Sequence, residues 1–171
     1  MKYPEHWPYY FTATIYQWKY LLKEDKYKDV IIQSLQFLVM EKRIELNAFV
    51  IMSNHIHLIW QPLPGYSQSQ VQASFMKYTA KKFQRMLEIG NSELLSQFKV
   101  NKYDRSYQFW KREPLSIELF TERVFMQKFE YIHENPVKAG LCKYAEEYYY
   151  SSQMFYEKGI DVFGMITHYA P

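Results

Sequence analysis

The 171-residue sequence predicts an α+β sandwich in which an antiparallel sheet carries helices on one face. Three observations predict it. Several short segments are rich in β-branched and aromatic residues. Three longer segments carry apolar residues at helical spacing. Their order along the chain is β-α-β-β-α-β-α. Apolar residues make up 48% of the chain, enough for a real core, and charged residues 23%, which excludes global disorder. The length suits one domain over residues 1–171, with a core over about 9–152 and an irregular C-terminal tail.

The first strand is expected over residues 9–18, Tyr-Tyr-Phe-Thr-Ala-Thr-Ile-Tyr-Gln-Trp. Asp25 to Lys42 places Val30, Ile31, Leu35, Leu38 and Val39 at helical spacing. Residues 44–53 form a second strand, and Ser53-Asn54 signals a turn. His55 to Gln61 is then the hairpin partner, ended by Pro62, Pro64 and Gly65. Residues 68–89 give a helix with Val71, Phe75, Tyr78, Ala80, Phe83 and Leu87 on its apolar side. Residues 90–106 have no clear period and read as a loop or insertion. Tyr107 to Trp110 is a short strand, and Pro114 to Glu118 a connection. A helix over 119–134 stops at Asn135-Pro136, because the residue before proline is pushed out of helical geometry. Tyr144 to Pro171 is irregular and rich in tyrosine.

Bulk properties limit the function classes. A net charge of +3 permits nucleic-acid binding without demanding it. Aromatic residues reach 19%, with 17 tyrosines; they suit either stacking on unpaired bases or a tyrosine-rich core. Cys142 is the only cysteine, which fits a reducing compartment. Met1 to Pro8 lacks the apolar run of a signal peptide, and no window approaches the roughly 18 apolar residues of a membrane span. A soluble, cytoplasmic protein with no membrane contact is the expectation.

Three constellations carry chemistry. His55-Ile56-His57 places two imidazoles on one face of a strand, where both can reach one divalent cation. The alternative is a pair of half-exposed sheet histidines. Tyr131 shares a helix face with Asn135, four residues on. A phenol there can attack a phosphodiester and keep the bond energy for rejoining. Asn135 can supply a carbonyl oxygen as a third metal ligand. Tyr131 can equally be one more packed tyrosine. Lys77, Lys81 and Arg85 form a basic stripe with Gln72 and Lys82 nearby, suited to phosphates or simply solvated. Trp110 with Lys111 and Arg112 adds aromatic-basic interleaving that suits single strands. His133 faces away from Tyr131 and is a capping or packing residue. His6 and His168 carry no signal, and Glu45 and Asn47 are candidates for outer-shell support.

Taken together, Asn54-His55-Ile56-His57-Leu58-Ile59 resembles the HUH motif. Tyr131-Ile132-His133-Glu134-Asn135-Pro136-Val137-Lys138-Ala139-Gly140-Leu141 resembles the helix-end signature of single-tyrosine transposases. Phe109-Trp110 and Tyr148-Tyr149-Tyr150-Ser151-Ser152 extend the likeness over most of residues 9–152. The branch it is most similar to is the REP-associated tyrosine transposases, relatives of the IS200/IS605 insertion-sequence enzymes. The resemblance implies an RRM-like (ferredoxin-like) fold and a Mg²⁺ or Mn²⁺ ion held by His55 and His57, with Asn135 as a further ligand. It implies Tyr131 as the nucleophile, single-stranded DNA beside a hairpin or repeat as substrate, and a protein that is a homodimer in many relatives. Rival readings are a domesticated repeat-processing nuclease, a non-catalytic single-strand-binding module, and a histidine-metal phosphoesterase that uses water.

Overall fold

The computed structural model describes residues 7–169. His6, most of the polar start and the last two residues lie outside them. Four strands form the main sheet: β1 (Tyr9–Thr14), β2 (Ile44–Ile51), β3 (His55–Pro62) and β6 (Leu115–Glu118), in the order β2-β3-β1-β6 with every pair antiparallel. Between them run α1 (Asp25–Met40) and α2 (Gln68–Gly90). The β1-α1-β2-β3-α2-β6 order with β1 and β3 central is the expected RRM-like arrangement.

Side-chain alternation along β3 divides the core in two. Ile56, Leu58 and Trp60 enter one cluster with Phe11 of β1, Leu35 of α1 and Phe75 of α2. Ile59 enters a second cluster on the opposite face, with Tyr10, Phe125 and Ile132. Phe125 and Ile132 belong to α4 (Glu122–Lys138). Helices therefore cover both faces of the sheet, not one. On β2 the alternation changes phase at a bulge between Leu46 and Ala48, which sends Leu46 and Phe49 to the first cluster and Ala48 and Val50 to the second.

Several elements depart from the sequence-based expectation. β1 stops at Thr14 because the next two amides leave the sheet: Ile15 N–H donates to Asn54 and Tyr16 N–H to Phe109. A 3-10 turn over Tyr16–Trp18 follows, with positive φ at Gln17 and Trp18. Residues 90–106 are not a loop. They form α3 (Ser92–Ser96) and a two-stranded ribbon of β4 (Lys99–Lys102) and β5 (Arg105–Tyr107). The strand expected at Tyr107 to Trp110 is thus mostly displaced upstream, and Trp110 makes only a single bridge with Ile15. Pro114 to Glu118, expected as a connection, holds the edge strand β6, which pairs Ile117 with Tyr10.

The last main helix does not stop at Asn135. Pro136 sits inside it and removes only the N–H that would have reached the Ile132 carbonyl. The helix ends nearly a turn later in a Schellman arrangement, Leu141 N–H donating to Pro136 (2.9 Å) and Gly140 N–H to Val137 (3.0 Å). Gly140 has φ +74°.

The C-terminal stretch is also ordered. It contains α5 (Gln153–Lys158) and lies along β2. Tyr150 accepts from Ile51 N–H, Ser152 N–H donates to Phe49, and Thr167 N–H donates to Leu46. Among the described residues no helix is long and apolar enough to cross a membrane.

A Cβ at Gly140 would meet nothing within 4 Å, so its cost is purely conformational. Gly140→Ala should destabilise the protein by about 1 kcal/mol, from the left-handed backbone it must adopt. In a thermal melt this lowers the midpoint by roughly 2–4 °C; an unchanged midpoint would contradict the cap.

Candidate metal-tyrosine site

The site forms where the N-terminal end of β3 meets α4. His57 stands directly opposite Thr12 in the β1–β3 register, and His55 opposite Thr14. The two imidazoles share a face, with ring centres 4.9 Å apart. From the other side, α4 lays Tyr131 edge-on to His57, at 5.3 Å between ring centres. Asn135, one turn further, brings its side-chain nitrogen 3.3 Å from His57 Nε2. His55, His57, Tyr131 and Asn135, picked out separately in the sequence, are brought together.

Hydrogen bonds set the state of each ring. Asn54 Nδ2 donates to the Trp18 carbonyl (3.2 Å), which leaves Asn54 Oδ1 to accept from His55 Nδ1 at 2.7 Å. His55 therefore carries its proton on Nδ1 and its lone pair on Nε2. His57 Nδ1 lies 2.8 Å from the Thr12 hydroxyl and 2.9 Å from that of Tyr10. Since an amide nitrogen only donates, its approach to His57 Nε2 again leaves the lone pair there and the proton on Nδ1. Burial pushes the pKa of His57 down to about 3, helped by the charges of His55 and Lys128. Burial also lowers that of His55, against the contact with Asn135. Both rings are thus neutral at pH 7, the state a metal requires.

The donors suit a divalent transition-type ion: two imidazole nitrogens and, with the Asn135 amide turned over, one oxygen. Among the described residues no group of three or more His, Cys, Asp or Glu side chains could hold a metal. The remaining positions of any ion here would fall to water and ligand oxygens.

Other side chains fall elsewhere. His133 faces away, as expected; its Nε2 lies 2.7 Å from Ser152 Oγ and its ring packs on Phe129 and Tyr156. Burial pushes its pKa down to about 4. Glu134 pairs with Lys138 at the surface. Asn47 does not support the site, because its amide donates to Thr167 in the C-terminal segment. Glu45 pairs with Gln61, at the far end of β3 from the histidines. Lys77, Lys81 and Arg85 lie on α2, across the sheet from Tyr131. Trp110 is only 6% exposed, its ring packed on Phe75 and Phe83 and its Nε1–H donating to Thr79, so it offers no open face for stacking. Lys111 and Arg112 are exposed beside it.

Sequence reasoning missed three participants. Tyr10 and Thr12 orient His57, and only the strand register reveals them. Lys128 places Nζ 4.8 Å from the Tyr10 ring centre and lies one helical turn before Tyr131. Its spacing from Tyr131 was visible in the sequence.

Residues 9–135 match the family model described as "Transposase IS200 like". The chain belongs to the IS200-like transposase family. The span matched in this IS200-like transposase includes all four site residues. Its fold is shared by the solved structure of a REP-associated tyrosine transposase bound to a REP hairpin. The TM-score is 0.63, with 17% identity over 99% of this chain and 95% of that one. A putative transposase from Deinococcus radiodurans R1 aligns over 79% of this chain and 94% of its own, with 20% identity and a TM-score of 0.47. No curated protein matches the chain.

The buried neutral histidines set an acid limit. In the unfolded chain a histidine titrates near 6.5, while folded His57 and His133 hold off protonation to about 3 and about 4. The unfolded state therefore binds more protons below about pH 6.5. Stability is complete above that pH and falls on the way to about 4, by up to about 1.4 kcal/mol per pH unit for each histidine. Urea melts of the metal-free protein from about pH 7.5 to about pH 5 should show this fall, and His133→Gln should remove part of it. A flat profile would contradict the burial of both rings.

Proposed function

We propose that this IS200-like transposase cleaves and rejoins single-stranded DNA through Tyr131, with His55, His57 and Asn135 holding a divalent cation. The observation that carries the proposal is the meeting of the Tyr131 phenol ring with the His57 ring, 5.3 Å between centres, from opposite elements of the fold. Tyr131 is 44% exposed, which leaves its ring accessible to a substrate.

The residues divide the work. His55 and His57 keep their Nε2 lone pairs for a metal, because Nδ1 is held by Asn54 on one side and by Thr12 and Tyr10 on the other. A bound Mn²⁺ or Mg²⁺ would withdraw charge from the scissile phosphate and favour the phenolate. The two imidazoles favour Mn²⁺, since Mg²⁺ prefers all-oxygen surroundings. Tyr131 Oη attacks phosphorus, the P–O3′ bond breaks, and the phenol proton is passed to the departing 3′-oxygen. The product is a 5′-phosphotyrosine and a free 3′-hydroxyl. Attack by another 3′-hydroxyl reverses the step and joins strands without ATP. Lys128, on the same face of α4, adds positive charge where the phosphate would lie.

The substrate proposed is single-stranded DNA flanking a hairpin or repeat, as the shared fold with the hairpin-bound transposase suggests. The test is incubation with hairpin-tailed single strands and Mn²⁺, scored for covalent product on a denaturing gel. Tyr131→Phe should abolish the adduct and leave DNA binding within a few-fold; an adduct in that variant would exclude Tyr131. His55→Ala and His57→Ala should each remove metal-dependent cleavage by at least about 100-fold. Undiminished cleavage in both would reject the metal ligands. Release of a free 5′-phosphate with no attached protein would point to hydrolysis by water instead.

A further inference from the structure

The proposed cleavage moves one proton, and geometry limits its route. In an in-line displacement the attacking and departing oxygens lie on opposite sides of phosphorus. Tyr131 Oη loses a proton on one side, while the 3′-oxygen needs one on the other. The phenol cannot hand its proton across phosphorus directly, so another group must carry it.

The side chains around the phenol narrow the choice. The Nδ1 protons of His55 and His57 are held by Asn54 and by Thr12 and Tyr10, and Nε2 of each ring has no proton to give. Tyr10 is only 4% exposed, so its hydroxyl cannot reach a bound strand. Glu134 is tied to Lys138. Lys111, whose amide bonds to Thr14 opposite His55, has its ammonium over the Trp18 ring at 5.6 Å. That leaves Lys128.

Lys128 shares a face of α4 with Tyr131, three residues on, and Asn135 completes the row. Side chains on a helix lean toward its N-terminus, so the phenol leans away from Asn135 and toward the turn that bears Lys128. Tyr10 places the ammonium from the sheet side: Nζ lies 4.8 Å from its ring centre, and the same ring stacks on His57 at 5.8 Å between centres. The charge of Lys128 is felt at His57, where it adds to burial and to His55 in lowering the pKa. Among the described residues no carboxylate pairs with Lys128, so its N–H groups are not claimed by an anion. The face of α4 thus carries a proton donor, a nucleophile and a metal ligand, each one turn from the next.

We propose that Lys128 is a catalytic residue that protonates the departing 3′-oxygen in cleavage and takes that proton back in rejoining. The proposal rests on attack by Tyr131, as argued above. As Oη bonds to phosphorus and the P–O3′ bond breaks, an N–H of the ammonium passes to the 3′-oxygen. The phenol proton then restores the ammonium through water. The net change is one proton moved from phenol to 3′-hydroxyl, and in rejoining both transfers run backwards.

The test replaces the bridging 3′-oxygen of the scissile phosphate by sulfur. A thiol has a pKa of about 8.5, so the thiolate departs without needing a proton. Formation of the covalent adduct by the full chain with Mn²⁺ is timed under single-turnover conditions on both substrates. Lys128→Met should slow the oxygen substrate by about 100-fold and the sulfur substrate by less than about threefold. Lys128→Arg should be as slow as Lys128→Met on oxygen, because a guanidinium keeps the charge but does not release its proton. Equal slowing on both substrates, or recovery of the oxygen rate in Lys128→Arg, would overturn the proposal and make Lys128 a phosphate contact only. Lys111→Met should slow both substrates by the same factor; rescue by sulfur in that variant and not in Lys128→Met would overturn the assignment. Each variant is compared with itself on two substrates, so a loss of folded protein cancels from the ratio. Absence of any adduct from the unaltered protein on either substrate would strike at Tyr131 as nucleophile and at Lys128 with it, whereas adducts formed without the sulfur effect would remove Lys128 alone.

Discussion

The packing of α4 across the second face of the sheet is the contact on which the site depends. Ile132 and Phe125 press against Ile59, Val50 and Tyr10, and their fit sets the rotation of the helix. With Ile132 buried, Tyr131 must face the edge of that contact, and Asn135, one turn on, must face the same way. His133 points along the opposite flank, where Ser152 holds it and ties the helix to β2 through the Phe49 amide. A small rotation of α4 would separate phenol from imidazole without breaking a single bond in the sheet.

The sheet supplies the complementary half. β3 is buried on both sides along most of its length, so its residues have no freedom to slip register. The histidines sit at its start, where cover by α4 thins and the strand emerges from the core. That position explains their mixed character. They are desolvated enough to stay neutral, yet they border the half-exposed Tyr131. Thr12 and Tyr10 then aim His57 from the neighbouring strand, and the Asn54–Trp18 contact aims His55 from the hairpin turn.

Much of this was legible in the residues, and the exceptions have physical causes. Asp25 to Met40 and Gln68 to Gly90 are long and periodic, and Ser67 with Gln70 forms the capping box that starts the second. The hairpin of β2 and β3 is written in its apolar runs and its Ser53-Asn54 turn. β6 was hidden because Leu-Ser-Ile-Glu is short and follows a proline, and only Tyr9 to Thr12 as a partner makes it a strand. α4 ran past Asn135 because a proline near a helix end costs one hydrogen bond, which the Gly140 cap offsets. Trp110 illustrates the ambiguity of aromatic residues: beside two cations it resembled a stacking platform, yet the cage of Phe75, Phe83 and Thr79 claims it for the core. Thr12 and Tyr10 could not be found without register, which no periodicity supplies.

The C-terminal segment has a consequence for assembly. By bonding to Leu46, Phe49 and Ile51, it occupies the outer backbone of β2, the margin that would otherwise recruit a foreign strand. Growth of the main sheet into a second molecule is thereby confined to β6, four residues long and entered through Pro114. The tail acts as a selvedge on one side of the fabric, and a truncation that removed it would expose an eight-residue adhesive rim.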